Sequence, residues 1–379
     1  MAVCALGITM SSASSISTNS LAPYTTSSGT GFNIQINWDS SVASAPPLFI
    51  PDVEQVANFY ASELQSSIPI TIIIDVGYGE INGSNIGNSA LGESETKLQP
   101  VSYSTLTSDL KSAYKSDVKL GMLNISLGSS QPNGNFYVSD AEAQALGIIT
   151  TTPTVDGYIG FSSKSGIFDY NTNISNDSGI VVPSTQYDFE GTVAHEISEV
   201  LGRIFLGGHS YSAYELLHYS SNGVQDFAAS GGYFSINGGT TNLGYFNAAH
   251  GGDGSDWANT GTSGSAYDAF DAFGTPGQTA PVTPTDLVVL QSLGFQLTKA
   301  AAKEEAAAAP VSPAPTQTTV QNTGGSPPGN SQGLDHAAAL FNQYMAAGFP
   351  EQQGGQITTS ALSQVATNEQ QFLANPHHG

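Results

Sequence analysis

The chain has 379 residues, with 8 Lys or Arg against 31 Asp or Glu, and a formal charge of -23 at pH 7. A surface so poor in cations repels phosphate backbones and anionic lipid headgroups, which excludes nucleic acid as a partner. The length suits a core domain with appendages. Only 10% of residues are charged while Gly, Ser, Thr and Asn abound, the balance of an exported, soluble, loop-rich protein rather than a cytosolic housekeeping enzyme.

At the N-terminus, MAVCALGITMSSASS has neither a basic start nor a long apolar run, so no cleavable signal peptide is expected. Cys4 is the single cysteine and makes no internal disulfide. Residues 1–30 are Ser/Thr-rich and carry too little apolar surface to offset ordering, so they read as a flexible arm. A core domain is expected over 31–298. FNIQINW from Phe32 alternates as a strand, Val53, Val56, Ala57 and Tyr60 have helical spacing, and ITIIIDVGYG is a buried strand. A right-handed crossover makes those two strands parallel neighbours.

Further helices are predicted around Ser104–Ser116 and after the Ser139-Asp140 cap, then a strand at VDGYIGFSS. DFEGTVAHEISEVLGRI is the most regular helix signal, with Val193, Ile197, Val200, Leu201 and Ile204 along one face. Beyond it the chain is Gly/Asn/Asp-rich, with short strand-like runs such as GGYFSING, until the helical TPTDLVVLQSLGF; the core is expected to end near Leu297. Residues 299–333 are Ala/Pro/Gly-biased and read as a disordered linker. Residues 334–379 hold helical patches too small for their own core, a C-terminal tail. The fold class is α+β. No window approaches the roughly 18 apolar residues of a membrane span.

His195 and Glu199 lie four residues apart and project from one helix face, a spacing that suits two ligands of one metal ion. Zinc takes imidazole nitrogen and carboxylate oxygen, and a catalytic site uses three protein ligands with one position left to water. Glu196 stands where HExxH metalloproteases carry their general base. The second histidine of that motif is replaced here by Glu199. Gly202 matches the glycine of the longer HExxHxxGxxH form, whereas the place of its third histidine is Phe205, so the third ligand comes from elsewhere. Glu215 and His209 are the leading candidates, ahead of His250, with His218 also in reach.

Two plainer readings compete. Glu199 and Arg203, the sole arginine, are also i, i+4 and suit a helix salt bridge of about 0.2–0.5 kcal/mol. Arg203 is otherwise expected to orient Glu199 from behind or to neutralise part of the carboxylate cluster. GGDGSDWAN matches a calcium nonapeptide once, but such repeats work by stacking in tandem. A calcium loop using Asp253, Asp256, Asp268 or Asp271 is a softer reading than a Gly/Asp turn region.

GTVAHEISEVLGR, GGYFSINGGTTNLGYFN, GDGSDW, AFDAFGTPG and DLVVLQSLGF, in that order, resemble a family of exported bacterial metalloproteases with HEISEV-type motifs, over about residues 32–297. The resemblance implies a zinc-dependent peptidase with a metzincin-like fold, a twisted mixed sheet beside an active-site helix. It carries His195 and Glu199 over as ligands and Glu196 as base, and it tilts the third ligand toward Glu215. The C-terminal ending resembles tails of other exported proteins of rhizobial type, which implies secretion without a cleavable signal peptide. Protein or peptide is the implied substrate. The alternative is an exported metal-binding or surface protein that cuts nothing.

Overall fold

The computed structural model describes residues 21–119, 125–175, 179–207, 209–228, 230–258 and 267–305. Most of the expected flexible arm, the rest of the linker and the tail lie outside these residues. The described residues form a mixed α+β fold with six α-helices and several sheets. Among them no helix is long and apolar enough to cross a membrane.

The main sheet contains β1 (Tyr24–Thr25), β2 (Phe32–Trp38), β3 (Ile70–Tyr78), β4 (Gly92–Thr96) and, after the segments named next, β7 (Gly157–Phe161). Between β4 and β7 run β5 (Leu98–Val101) and β6 (Asn135–Ser139), which pair antiparallel with each other. In β2 every second side chain, from Phe32 to Trp38, is buried, the period-2 pattern of a strand with one face on the core. Helix α1 (Phe49–Glu63) connects β2 to β3, and the two strands pair in parallel from Phe32 opposite Ile70 to Trp38 opposite Val76, as the crossover predicts. The order across the sheet is β1, β2, β3, β7, β4. β7 is parallel to β3 and β4 is antiparallel to β7, so β4 is one edge strand and β1 the other. β1 falls inside the segment read as a flexible arm, yet it pairs antiparallel with β2.

Helix α2 (Tyr103–Lys119) and α3 (Asp140–Ala145) occupy the predicted positions, and α3 starts with a reciprocal Ser139/Glu142 capping box. Helix α4 (Phe189–Val200) is the regular helix of the sequence. Asp188 caps it by accepting the Gly191 N–H at 3.0 Å. Gly202, at φ 113°, turns the chain out of the helix, and a Cβ there would stand 2.5 Å from Glu142 Oε2.

Downstream, β8 (His218–Ser221), β9 (Tyr233–Phe234) and β10 (Gly244–Tyr245) form a small antiparallel sheet. Helix α5 (Pro284–Ser292) follows, with Thr283 and Asp286 as its capping box. The packed chain continues past the expected end at Leu297. Helix α6 (Lys299–Glu305) covers residues read as linker, and its Ala301 is fully buried. The Ala-rich composition that suggested a linker also favours helix once a core face is there to receive it.

All twelve residues of α4 are buried. Val193, Ile197, Val200 and Leu201 enter the core, as their spacing predicts. The Tyr60 hydroxyl of α1 donates to the Ala194 carbonyl at 2.8 Å, tying α4 to the first crossover. On another side, Thr96 Oγ1 of β4 donates to the Glu199 carbonyl at 3.0 Å. The polar side chains of α4 therefore face protein, not bulk water.

Candidate metal centre

His195 and Glu199 do converge. His195 Nε2 is 3.6 Å from Glu199 Oε1 and 3.5 Å from Asp256 Oδ1. The three residues bring their ligand atoms within 4.8 Å of one another, and each is at most 4% exposed. Among the described residues no other group of three His, Cys, Asp or Glu does so.

The third member is thus Asp256, not Glu215 or His209. Glu215 is fully buried, and its Oε2 accepts the backbone N–H groups of Ser212 at 2.7 Å and Leu206 at 3.2 Å. It organises the turn that follows α4. Burial pushes its pKa up to about 7, against those hydrogen bonds, which lower it. His209 and His250 are exposed and outside the cluster. His218 is buried in aromatic packing, stacked on Phe205 with centroids 5.1 Å apart, and its Nε2 meets the Gly231 carbonyl at 2.5 Å.

Asp256 reaches the helix because its segment folds back as a set of bridges. Phe246 pairs with Trp257, and Trp257 pairs with Asp271. The Trp257 N–H donates to the Phe270 carbonyl at 2.8 Å, and the Ala272 N–H donates to the Trp257 carbonyl at 3.0 Å. The same fold puts the Ala269 carbonyl 2.9 Å from His195 Nδ1. In the neutral imidazole, with Nδ1 as the donor to that carbonyl, Nε2 carries the lone pair and faces the two carboxylates. Ser94 of β4 donates to Glu199 Oε2 at 2.6 Å, which leaves Oε1 for the cluster.

Glu196 lies against the same group. Its Oε2 and Glu199 Oε1 are buried with no hydrogen-bond partner among the described residues. Gly92 of β4 makes room for it, since a Cβ at Gly92 would fall 2.4 Å from Glu196 Oε1. Burial, then the neighbouring Glu199 carboxylate, holds the Glu196 carboxyl well above the usual range. Burial likewise raises Asp256, with Asp253 adding and His195 opposing, and burial and Glu199 push Asp253 up to about 6. For His195, burial works downward, but Asp256 and Glu199 together outweigh it and raise the imidazole. The cluster therefore has more negative charge than its dry surroundings tolerate, and either protons or a cation must offset it. The orphaned Glu199 Oε1, together with Asp256 Oδ1, both beside one imidazole nitrogen, fit a metal ion.

Arg203 does not pair with Glu199, so the helix salt bridge and the expected support behind Glu199 are both corrected. The chain leaves the helix at Gly202, which swings the guanidinium toward α5, where Nη1 contacts Asp286 Oδ1 at 3.0 Å. The four aspartates of the calcium reading do not form one cluster. Asp256 joins His195, Asp253 Oδ1 accepts Ser255 N–H and Oγ, and Asp271 Oδ2 accepts the Asp268 N–H.

A recess with about 30 Å³ of room reaches His195 between Leu91, Thr192, Ala269 and Gly274. Asp256 was legible only as part of GDGSDW, where an acid precedes a tryptophan; nothing local ties it to a helix far upstream. Compared with family models, curated proteins and solved structures, the chain finds no match.

Proposed function

We propose that this chain is an exported, zinc-dependent peptidase of metzincin-like plan, with His195, Glu199 and Asp256 as the metal ligands and Glu196 as general base. The observation that carries the reading is the spacing of the three ligand atoms. Tetrahedral zinc with bonds of about 2.1 Å sets its ligands about 3.4 Å apart, and the two separations from His195 Nε2 are 3.5 and 3.6 Å. Calcium, with more ligands at longer distance and a preference for oxygen alone, suits an imidazole-containing set less well.

A zinc ion held by His195, Glu199 and Asp256 would supply Lewis acidity to a peptide carbonyl and to water. Glu196, beside the cluster with one oxygen free of hydrogen-bond partners among the described residues, takes the proton of the attacking water and returns it to the leaving amine. Edge strand β4 runs beside α4, and an extended peptide adding to that edge would pass along the ligand helix.

The test is metal content and cleavage together. Purified protein is expected to hold about one zinc per chain and to cut a mixed peptide library. Glu196→Gln should keep the zinc and lose cleavage by 10²-fold or more, roughly the scale of general base catalysis. The burial of all three ligands favours one other reading, an exported protein that binds metal without cutting. Zinc with no cleavage in the wild type would select it, and absence of zinc would remove both.

A further inference from the structure

We infer that Arg203 is a positioning residue for the metal centre, clamping the two segments that bring Asp256 and the Ala269 carbonyl to His195. This rests on the metal-site reading above and extends it to a residue that touches none of the ligands.

The guanidinium lies between two aromatic rings. Its Cζ is 3.8 Å from the centroid of Phe270 and 4.5 Å from that of Trp257. Each ring adjoins a residue the centre uses: Trp257 follows Asp256, and Phe270 follows Ala269, whose carbonyl meets His195 Nδ1. The Phe270 ring also packs on the His195 ring, centroids 5.6 Å apart. Asp286 closes the arrangement from α5. Its Oδ1 accepts from both Arg203 Nη1, at 3.0 Å, and Trp257 Nε1, at 2.8 Å, while its Oδ2 holds the Thr283 cap.

A flat cation thus spans two chain segments that share only short bridges, and it does so from the residue just after the turn that ends the ligand helix. Planarity is the property that matters. A guanidinium stacks on two ring faces at once while donating in its plane, whereas a lysine ammonium is a point charge that cannot fill that slot. Among the described residues Nε and Nη2 have no hydrogen-bond partner, and Arg203 is only 1% exposed. A buried ion pair of this kind is weak evidence for stability alone, since apolar replacements are often as stable. Its position against both supports of the centre is what argues for a role in the site.

The experiment uses full-length protein and zinc itself. Zinc dissociation constants are measured by chelator competition for wild type, Arg203→Lys and Arg203→Met, with cobalt(II) absorption bands as the report on ligand geometry. Ile72→Val, a core change in β3, serves as the stability control. Trp257→Phe removes the indole donor to Asp286 but keeps a ring, and it carries the test if both arginine variants fail to fold. Arg203→Lys should weaken zinc binding by about 10- to 100-fold, the range seen when outer partners of metal ligands are removed. It should also alter the cobalt bands, while Ile72→Val changes neither.

Zinc affinity within threefold of wild type in Arg203→Lys, with unchanged cobalt bands, overturns the clamp and leaves the metal site standing. An equal affinity loss in Ile72→Val also overturns it, because the effect is then general destabilisation. If wild type binds zinc no better than His195→Ala, the metal-site reading falls and takes the clamp with it.

Discussion

Gly92 and Ser94 act on the centre through single atoms of neighbouring side chains. In Gly92→Ala the new Cβ would start 2.4 Å from Glu196 Oε1, so the carboxylate must move. On the proposed mechanism, turnover should fall by about 10²-fold, the cost of misplacing a reacting group by roughly 1 Å. Zinc content should not change, because the ligands are untouched. Ser94→Ala removes the 2.6 Å hydrogen bond that fixes Glu199. Zinc affinity should weaken about tenfold, checked by competition with a chelator. His195 and Glu199 were readable at this scale because helix geometry alone puts residues i and i+4 together. The same geometry made Glu199–Arg203 look like a pair, and there it misled: the helix ends before the arginine, so the spacing no longer applies.

At the scale of elements, α4 is specified by local signals at both ends. Asp188 accepts from Gly191 N–H and, through Oδ2, from Ala280 N–H at 2.9 Å. Asp188→Ala should destabilise the fold by about 1–2 kcal/mol, the upper part of the range for lost N-caps, because a second backbone donor is orphaned with it. Denaturant unfolding would measure this. The opening strand, helix, strand unit was readable from long runs of clear period. β4 was not. GESET has little β-propensity, and it is a strand because β7 offers it a paired edge and Gly92 admits Glu196. The two-residue strands downstream are too short to show any period.

For the whole molecule, charge is the main variable. With a net charge of -23, self-repulsion opposes the compact state, and added salt should relieve it. Raising ionic strength from about 0.01 to 0.1 M, where the Debye length falls from about 30 to 10 Å, should raise Tm by a few degrees, about 1 kcal/mol in a chain of this size. Asp156 contributes a pH dependence. It ties β3 to α3, accepting from Ile73 N–H and from Gln144 Nε2, each at 2.7 Å. Burial pushes its pKa up to about 7. An unfolded aspartate titrates near 4, so the fold takes up a proton between about pH 4 and 7. The stability this adds is complete below pH 4 and is lost as pH rises through 7. The Tm of wild type relative to Asp156→Asn should therefore decline from pH 4.5 to pH 7.5.

Local order sufficed for the α+β class, the first crossover, helix α4 and the convergence of His195 with Glu199, because each depends on contacts within a few residues and leaves a period in the chain. Tertiary structure alone decided that Asp256 completes the cluster, that Glu215 serves a turn and that Arg203 faces Asp286. Those outcomes depend on how the Gly/Asp-rich segment folds back on α4 through bridges of one or two residues, and pairings so short and so far apart in the chain have no repeating pattern to announce them.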